Sequence, residues 1–164
     1  DTLPPPAQRV APYHIYKATD LTFRGDPPIL ILPADPAVLY APGVAKAQLE
    51  FDLALEKDGR YRLDAVLYHT LMSGTWRVLL DDKPLGPTLD LNAAGADFRW
   101  VFLDTLDLKA GMHTLRFECV EESVNRIRAL APKFNLFGVA AISLLRLEDM
   151  EGFQQVLKEK TGKQ

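Results

Sequence analysis

Apolar and polar residues alternate along most of this chain with a period of two. Leu49, Phe51, Leu53 and Leu55 alternate with Gln48, Glu50, Asp52 and Glu56, the pattern of a strand with one face in a core and the other in water. Lys57-Asp58-Gly59-Arg60 is a tight-turn sequence, because Asp58 can cap a turn and Gly59 adopts positive φ at little cost. Tyr61, Leu63, Ala65 and Leu67 then return the same inward face, which predicts a hairpin. Trp76, Val78 and Leu80 predict another strand, turned by Asp81-Asp82-Lys83-Pro84 towards Leu85, Leu89 and Leu91. Phe98, Trp100 and Phe102, then Leu106 and Leu108, share one parity. They predict a strand bent or bulged near Asp104, with Trp100 in the core like Trp76. Lys109-Ala110-Gly111 leads into Leu115, Phe117 and Cys119, the latter a small core hydrophobe by its parity. Glu121 to Lys133 has no such period and predicts a long loop. Phe134 to Leu147 is apolar on both faces around Gly138 to Ala141, which predicts a central strand covered on both sides.

The two ends read differently. Nine of the 12 prolines fall in the first 42 residues, and residues 1–12 read as an extended tail or linker. His14 to Phe23 predicts a first strand, broken by Asp26 to Pro28. Ile29 to Leu32 then reads as a short buried run and Pro33 to Pro42 as a loop. Asp149 to Lys160 is the one helix candidate, capped by Asp149, with Met150, Phe153 and Leu157 on one stripe. About eight closely spaced strands with almost no helix predict an all-β fold, an antiparallel β-sandwich with one short C-terminal helix. The predicted organisation is a tail over 1–12, the sandwich over 13–148, and a helix and tail over 149–164.

Composition narrows the chemistry. The 164 residues are 48% hydrophobic, with 19 Lys+Arg against 22 Asp+Glu. The net charge of −3 leaves no basic field to neutralise phosphates, which argues against nucleic-acid binding. The single cysteine excludes a disulfide framework and a multi-cysteine metal site. Apolar runs such as Val139 to Ile142 are far too short to cross a bilayer. His14, His69 and His113 lack metal-ligand spacing, and His113, beside a turn, reads as a rim residue. The chain has no Gly-x-Ser-x-Gly elbow and no glycine-rich phosphate loop. Glu50, Asp52, Asp64 and Glu118 alternate outward and read as solvated sheet faces, so no catalytic residue, metal or cofactor is expected. Tyr40, His69, Asn125, Arg128 and Asn135 lie at strand ends or in loops. Aromatic, amide, imidazole and guanidinium groups of this kind suit a shallow sugar site, and these five are the candidate ligand-binding residues.

The order of several stretches is more specific. Tyr61-Arg62-Leu63 to Tyr68, Gly74 to Trp76-Arg77-Val78-Leu79-Leu80-Asp81, Asp107-Leu108-Lys109-Ala110-Gly111-Met112-His113-Thr114-Leu115-Arg116-Phe117, and Phe134 to Leu147 follow one another. This succession resembles the galactose-binding-like jelly roll of non-catalytic carbohydrate-binding modules, in particular the accessory domains of bacterial glycoside hydrolases. The resemblance covers roughly Tyr61 to Leu147. It implies a jelly roll, a polysaccharide or glycan partner, and a secreted, extracellular setting. Many such modules hold a structural calcium between a Glu-Ala-Glu pattern in the first strand and an aspartate in the last. Lys17-Ala18-Thr19 and Gly138-Val139-Ala140-Ala141 stand at those places here, and a lysine and an alanine cannot replace hard oxygen ligands. The expected function is therefore a non-catalytic glycan-binding or accessory module that uses its end loops. The alternative is a structural subunit that self-associates, or docks on a partner protein domain, through its N-terminal tail and sheet edges.

Overall fold

The computed structural model describes residues 13–44, 46–122 and 135–150. Among the described residues, eleven strands form two antiparallel sheets packed face to face. The six-stranded sheet contains β1 (Tyr13–Lys17), β3 (Ile31–Ala34), β4 (Ala37–Tyr40), β6 (Gly59–His69), β9 (Asp97–Leu108) and β11 (Phe137–Arg146). Its order is β3-β4-β11-β6-β9, with β1 also paired to β11. The five-stranded sheet runs β2-β5-β10-β7-β8. It is built from β2 (Phe23–Asp26), β5 (Gln48–Leu55), β10 (Gly111–Glu121), β7 (Thr75–Leu80) and β8 (Lys83–Asp90).

The inward side chains meet as the alternation predicts. Phe51, Phe117, Phe137 and Trp76 form one aromatic chain through the core, with ring centroids 6.1, 4.8 and 4.5 Å apart in turn. Trp76 satisfies its buried indole N–H on the Ser73 carbonyl at 2.6 Å. Cys119 is buried, and burial pushes its thiol up to about 11, so it stays a neutral core residue.

Several expectations are corrected. The turn at Lys57–Arg60 does not close a hairpin, because β5 and β6 lie in opposite sheets. Alternation identifies inward side chains but not the sheet they enter, and the same pattern fits a crossing. The crossing from β9 to β10 runs beside it, and Asp58 ties the two by accepting the Ala110 N–H at 2.7 Å. Gly59 is needed for space rather than for positive φ, since a Cβ there would lie 2.6 Å from the Arg146 Nε. The strand expected from His14 to Phe23 is interrupted by a 3-10 turn at Ala18–Asp20 and supplies both sheets. Ile29 to Leu32 is not a buried run, for Ile29, Leu30 and Leu32 are all at least half exposed. The expected loop after it contains the β3–β4 hairpin. These short strands raise the count from about eight to eleven. The C-terminal helical turn begins at residue 147, two residues before Asp149; the rest of the predicted helix lies outside the described residues.

The most consequential correction is in β9. The register against β6 slips by one residue, so that Leu63 faces Asp104 while Asp64 faces Phe102. Leu103 is the extra residue, and it is buried. One inserted residue inverts the side-chain faces. Leu106 and Leu108 pack on the core, whereas Phe98, Trp100 and Phe102 point out of the sandwich at 41, 55 and 51% exposure. Trp100 is thus a surface residue, unlike Trp76. The centre of the six-stranded sheet is β11, as expected, but its outward face is only half covered.

Candidate functional site

The outward row of β9 stands beside the outward rows of β6, β11 and β1. Register brings Phe98 opposite Tyr68, Trp100 opposite Val66, and Phe102 opposite Asp64. Beyond them, Asp64 faces Ser143 and Arg62 faces Leu145, and Ser143 faces Ile15. The rings at the two ends of the β9 row are supported by neighbours. Phe98 stacks on Tyr68 with centroids 4.6 Å apart, and the Arg62 guanidinium lies 4.7 Å from the centre of the Phe102 ring, a cation–π contact. Trp100 has only the small Val66 and Ala141 across from it, which leaves the indole open.

Beside the indole lies an open groove of about 330 Å³ lined by Ile15, Arg62, Asp64, Trp100, Ser143 and Leu145. Its charged groups are fixed against each other. Arg62 donates from Nε and Nη2 to the two oxygens of Asp64 at 2.9 and 3.2 Å. That bond to Asp64 raises the guanidinium above its ordinary value and keeps it cationic. The groove therefore offers a flat aromatic surface, a planar donor–acceptor pair of zero net charge, a hydroxyl, and aliphatic walls.

Three of the five residues expected from sequence fall elsewhere. Tyr40 is buried; its hydroxyl donates to the Pro27 carbonyl at 2.6 Å, and burial, with Asp26 nearby, pushes its ionisation up to about 12. His69 is 9% exposed, with Nδ1 3.0 Å from the Leu67 carbonyl. Asn135 is buried and bridges two backbone groups, accepting the Gly43 N–H at 2.9 Å and donating to the Val44 carbonyl at 2.6 Å. The neighbouring Leu136 N–H reaches the Met72 carbonyl at 2.7 Å, so Asn135 and the loop after His69 are brought together at one end of the sandwich. Tyr40 pairs with Phe137 just inside that end. Asn125 and Arg128 lie outside the described residues. Lys17 and Thr19 both turn to Asp35, at 3.5 and 3.1 Å, so an ammonium and a hydroxyl already occupy that carboxylate. Among the described residues, no group of three His, Cys, Asp or Glu side chains comes together as could hold a metal ion.

Phe98, Trp100, Phe102, Arg62 and Asp64 are the site residues that parity reasoning misses. The signal for them is the bend near Asp104, since a bulge between Phe102 and Leu106 cannot leave both halves of the strand facing the same way.

No family model matches the chain, and no curated protein matches it in sequence. Solved structures match it in fold. A Paenibacillus xanthan lyase superposes with a TM-score of 0.61 at 13% identity, over 80% of this chain and 13% of the lyase. A family 35 carbohydrate-binding module from Clostridium thermocellum gives 0.52 at 14% identity, over 82% of this chain and 98% of the module. The C-terminal family 6 module of LamC, a marine laminarinase from Zobellia galactanivorans, gives 0.54 at 12% identity, over 82% and 99%. The chain has the jelly-roll fold of carbohydrate-binding modules. It spans a small part of the lyase but nearly the whole length of each module, so this jelly roll corresponds to one module-sized unit. At these identities the likeness concerns the fold, and the site must be argued from its own side chains.

Proposed function

We propose that this jelly roll is a non-catalytic carbohydrate-binding or accessory module, and that glycan lies on the outer face of the six-stranded sheet in the Trp100 groove. The observation that carries this reading is the half-exposed indole set beside the paired Arg62 and Asp64. The apolar face of a pyranose stacks on such a ring, and the free edges of an Arg–carboxylate pair exchange hydrogen bonds with ring hydroxyls. The groove is open and shallow, which suits affinities of about 10 μM to 1 mM, or roughly −7 to −4 kcal/mol. The module works outside the cell, where polysaccharide is met. Of the end-loop residues, Asn125 and Arg128 are a second place for sugar contacts, with Tyr40, His69 and Asn135 holding the loops rather than touching ligand.

Affinity electrophoresis against a panel of soluble polysaccharides tests this, with calorimetry on whichever retards the protein. Retardation that disappears in Trp100→Ala and survives in His69→Ala is expected. A panel that retards neither protein, or a Trp100→Ala protein that binds as well as the wild type, overturns the reading. A docking role is the second reading. It is favoured by Ile15 and Leu32, aliphatic side chains more than half exposed on the same sheet, which suit a protein surface better than a sugar.

A further inference from the structure

Among the described strands, every sheet edge but one is blunted. β3 is four residues long and contains Pro33; β2 is four residues long and runs into Pro27. β8 contains Pro84, Gly86 and Pro87 after Lys83, and β1 is five residues ending in Lys17. Short length, proline and lysine are the ordinary means of keeping an edge from pairing. β9 is the exception: with 12 residues it is the longest of the described strands, and among the described residues it pairs with β6 on one side only. Its first half, Asp97-Phe98-Arg99-Trp100-Val101-Phe102, lacks proline, glycine and lysine and is exposed at every position but Val101. The bulge at Leu103 then ends the regular segment.

We propose that this segment pairs with the same segment of a second copy of the chain, antiparallel about a two-fold axis at Trp100. The residue pattern argues for a second copy rather than a foreign strand. Phe98 and Phe102 flank Trp100 at equal spacing, so a two-fold axis there sets Trp100 against its mate and each Phe98 against a Phe102 on the same outer face. Aromatic cross-strand pairs are among the favourable ones. Asp97 and Arg99 cancel in charge and already pair at 2.8 Å, so two copies approach without net repulsion. Three rings at about half exposure supply roughly 300 Å² of apolar surface per copy. With the backbone edge, that lies near the lower limit for a specific interface, and the dimer is weak and concentration-dependent. The contact is isologous and closes on itself; the remaining blunted edges stop further growth. The two six-stranded sheets become one continuous sheet with the aromatic rows side by side.

The test is light scattering on the eluting chain over a series of loading concentrations, with charge placed on the axis. The wild type is expected to move from monomer to dimer as concentration rises. Trp100→Lys and Trp100→Glu, each alone, are expected to stay monomeric with unchanged melting temperatures, because the indole is exposed. An equimolar mixture of the two restores the dimer, since opposite charges then meet at the axis. Hydrogen exchange at residues 97–102 slows in the wild-type dimer. A wild type that stays monomeric at its highest soluble concentration overturns the proposal. So does a dimer that persists in either variant alone, or a mixture that fails to reassociate.

Discussion

The two outer faces of this sandwich are built from the same kind of strand and carry opposite chemistry. On the five-stranded sheet, charges run across the strands as a ladder. Asp52 and Glu50 both receive Arg24 at 3.0 Å, Glu50 also receives Arg116 at 3.4 Å, and Arg116 continues to Asp82 at 2.7 Å. Arg77 and Gln48 both bind Glu118, at 3.1 Å each. Each charge of this ladder meets an opposite one on a neighbouring strand or turn, and among its buried side-chain atoms only the Nε atoms of Arg77 and Arg116 are left without a partner. On the six-stranded sheet, the Arg62–Asp64 pair lies within one strand, one cross-strand pair, Arg60–Asp107 at 3.3 Å, stands at its far end, and rings stand over the first half of β9. Partly exposed aromatics gathered on one face suit the partner proposed above. One face holds the sheet together, and the other is available to something else.

The sharpest way to break this contrast is to remove the indole. Trp100→Ala is expected to weaken polysaccharide binding at least tenfold, about 1.4 kcal/mol or more, while stability moves by no more than about 0.5 kcal/mol. Calorimetric titration and thermal melting on the same sample check both halves. The converse change is Arg116→Met, which cuts the ladder at its middle. It should cost about 1 kcal/mol of stability, read by denaturant unfolding, and leave glycan affinity unchanged.

A smaller effect separates the faces by pH. His113 has both ring nitrogens against acceptors: Nδ1 lies 2.5 Å from Asp81 and Nε2 lies 2.7 Å from the Lys109 carbonyl. Both positions need a proton, so the imidazolium is the form that fits. Burial pulls its ionisation down, but the Lys109 carbonyl and Asp81 outweigh it and raise it above the ordinary 6.5. A raised value in the fold means stabilisation that is full below about pH 6.5 and fades as pH climbs through the raised value. The melting temperature should fall over that interval in the wild type and stay flatter in His113→Gln, while glycan affinity stays constant in both. The smallest effect is ionic. Raising salt from about 0.1 to 1 M shortens the screening length from about 10 to 3 Å. That should cost the charged ladder a few tenths of a kcal/mol, about the worth of exposed pairs, and leave binding at the neutral groove untouched.

The five-stranded sheet is largely legible in sequence because its alternation is undisturbed. Leu49, Phe51 and Leu53, and then Leu115, Phe117 and Cys119, point inward as their parity says. The turn at Asp81-Asp82 is legible too: both residues sit at positive φ, 50° and 67°, as a two-residue hairpin turn requires. Asp81 is held there by accepting the Thr114 N–H at 2.9 Å. What parity does not encode is the partner sheet, and so the crossing at Lys57–Arg60 reads as a hairpin. The first 42 residues are hard for a different reason, since prolines confine the chain to pieces too short to show a period. The candidate site fails to announce itself because its residues form no motif. Arg62, Asp64, Trp100 and Ser143 come from three strands, and only the register unites them. Tyr40, His69 and Asn135 are polar and near strand ends, but sequence cannot distinguish a side chain that offers hydrogen bonds to a ligand from one already using them on backbone.

The single residue Leu103 also matters for how this chain is compared with others. A strand with one inserted residue has two reading frames, one before the insertion and one after, and surface and interior exchange places between them. An alignment that runs through β9 without a gap will set Trp100 against interior positions of relatives that lack the insertion, and will score the surface as core. Deleting Leu103 would shorten the protein by one residue and exchange the environments of three aromatic rings. In this strand, length is as much a determinant of surface chemistry as composition.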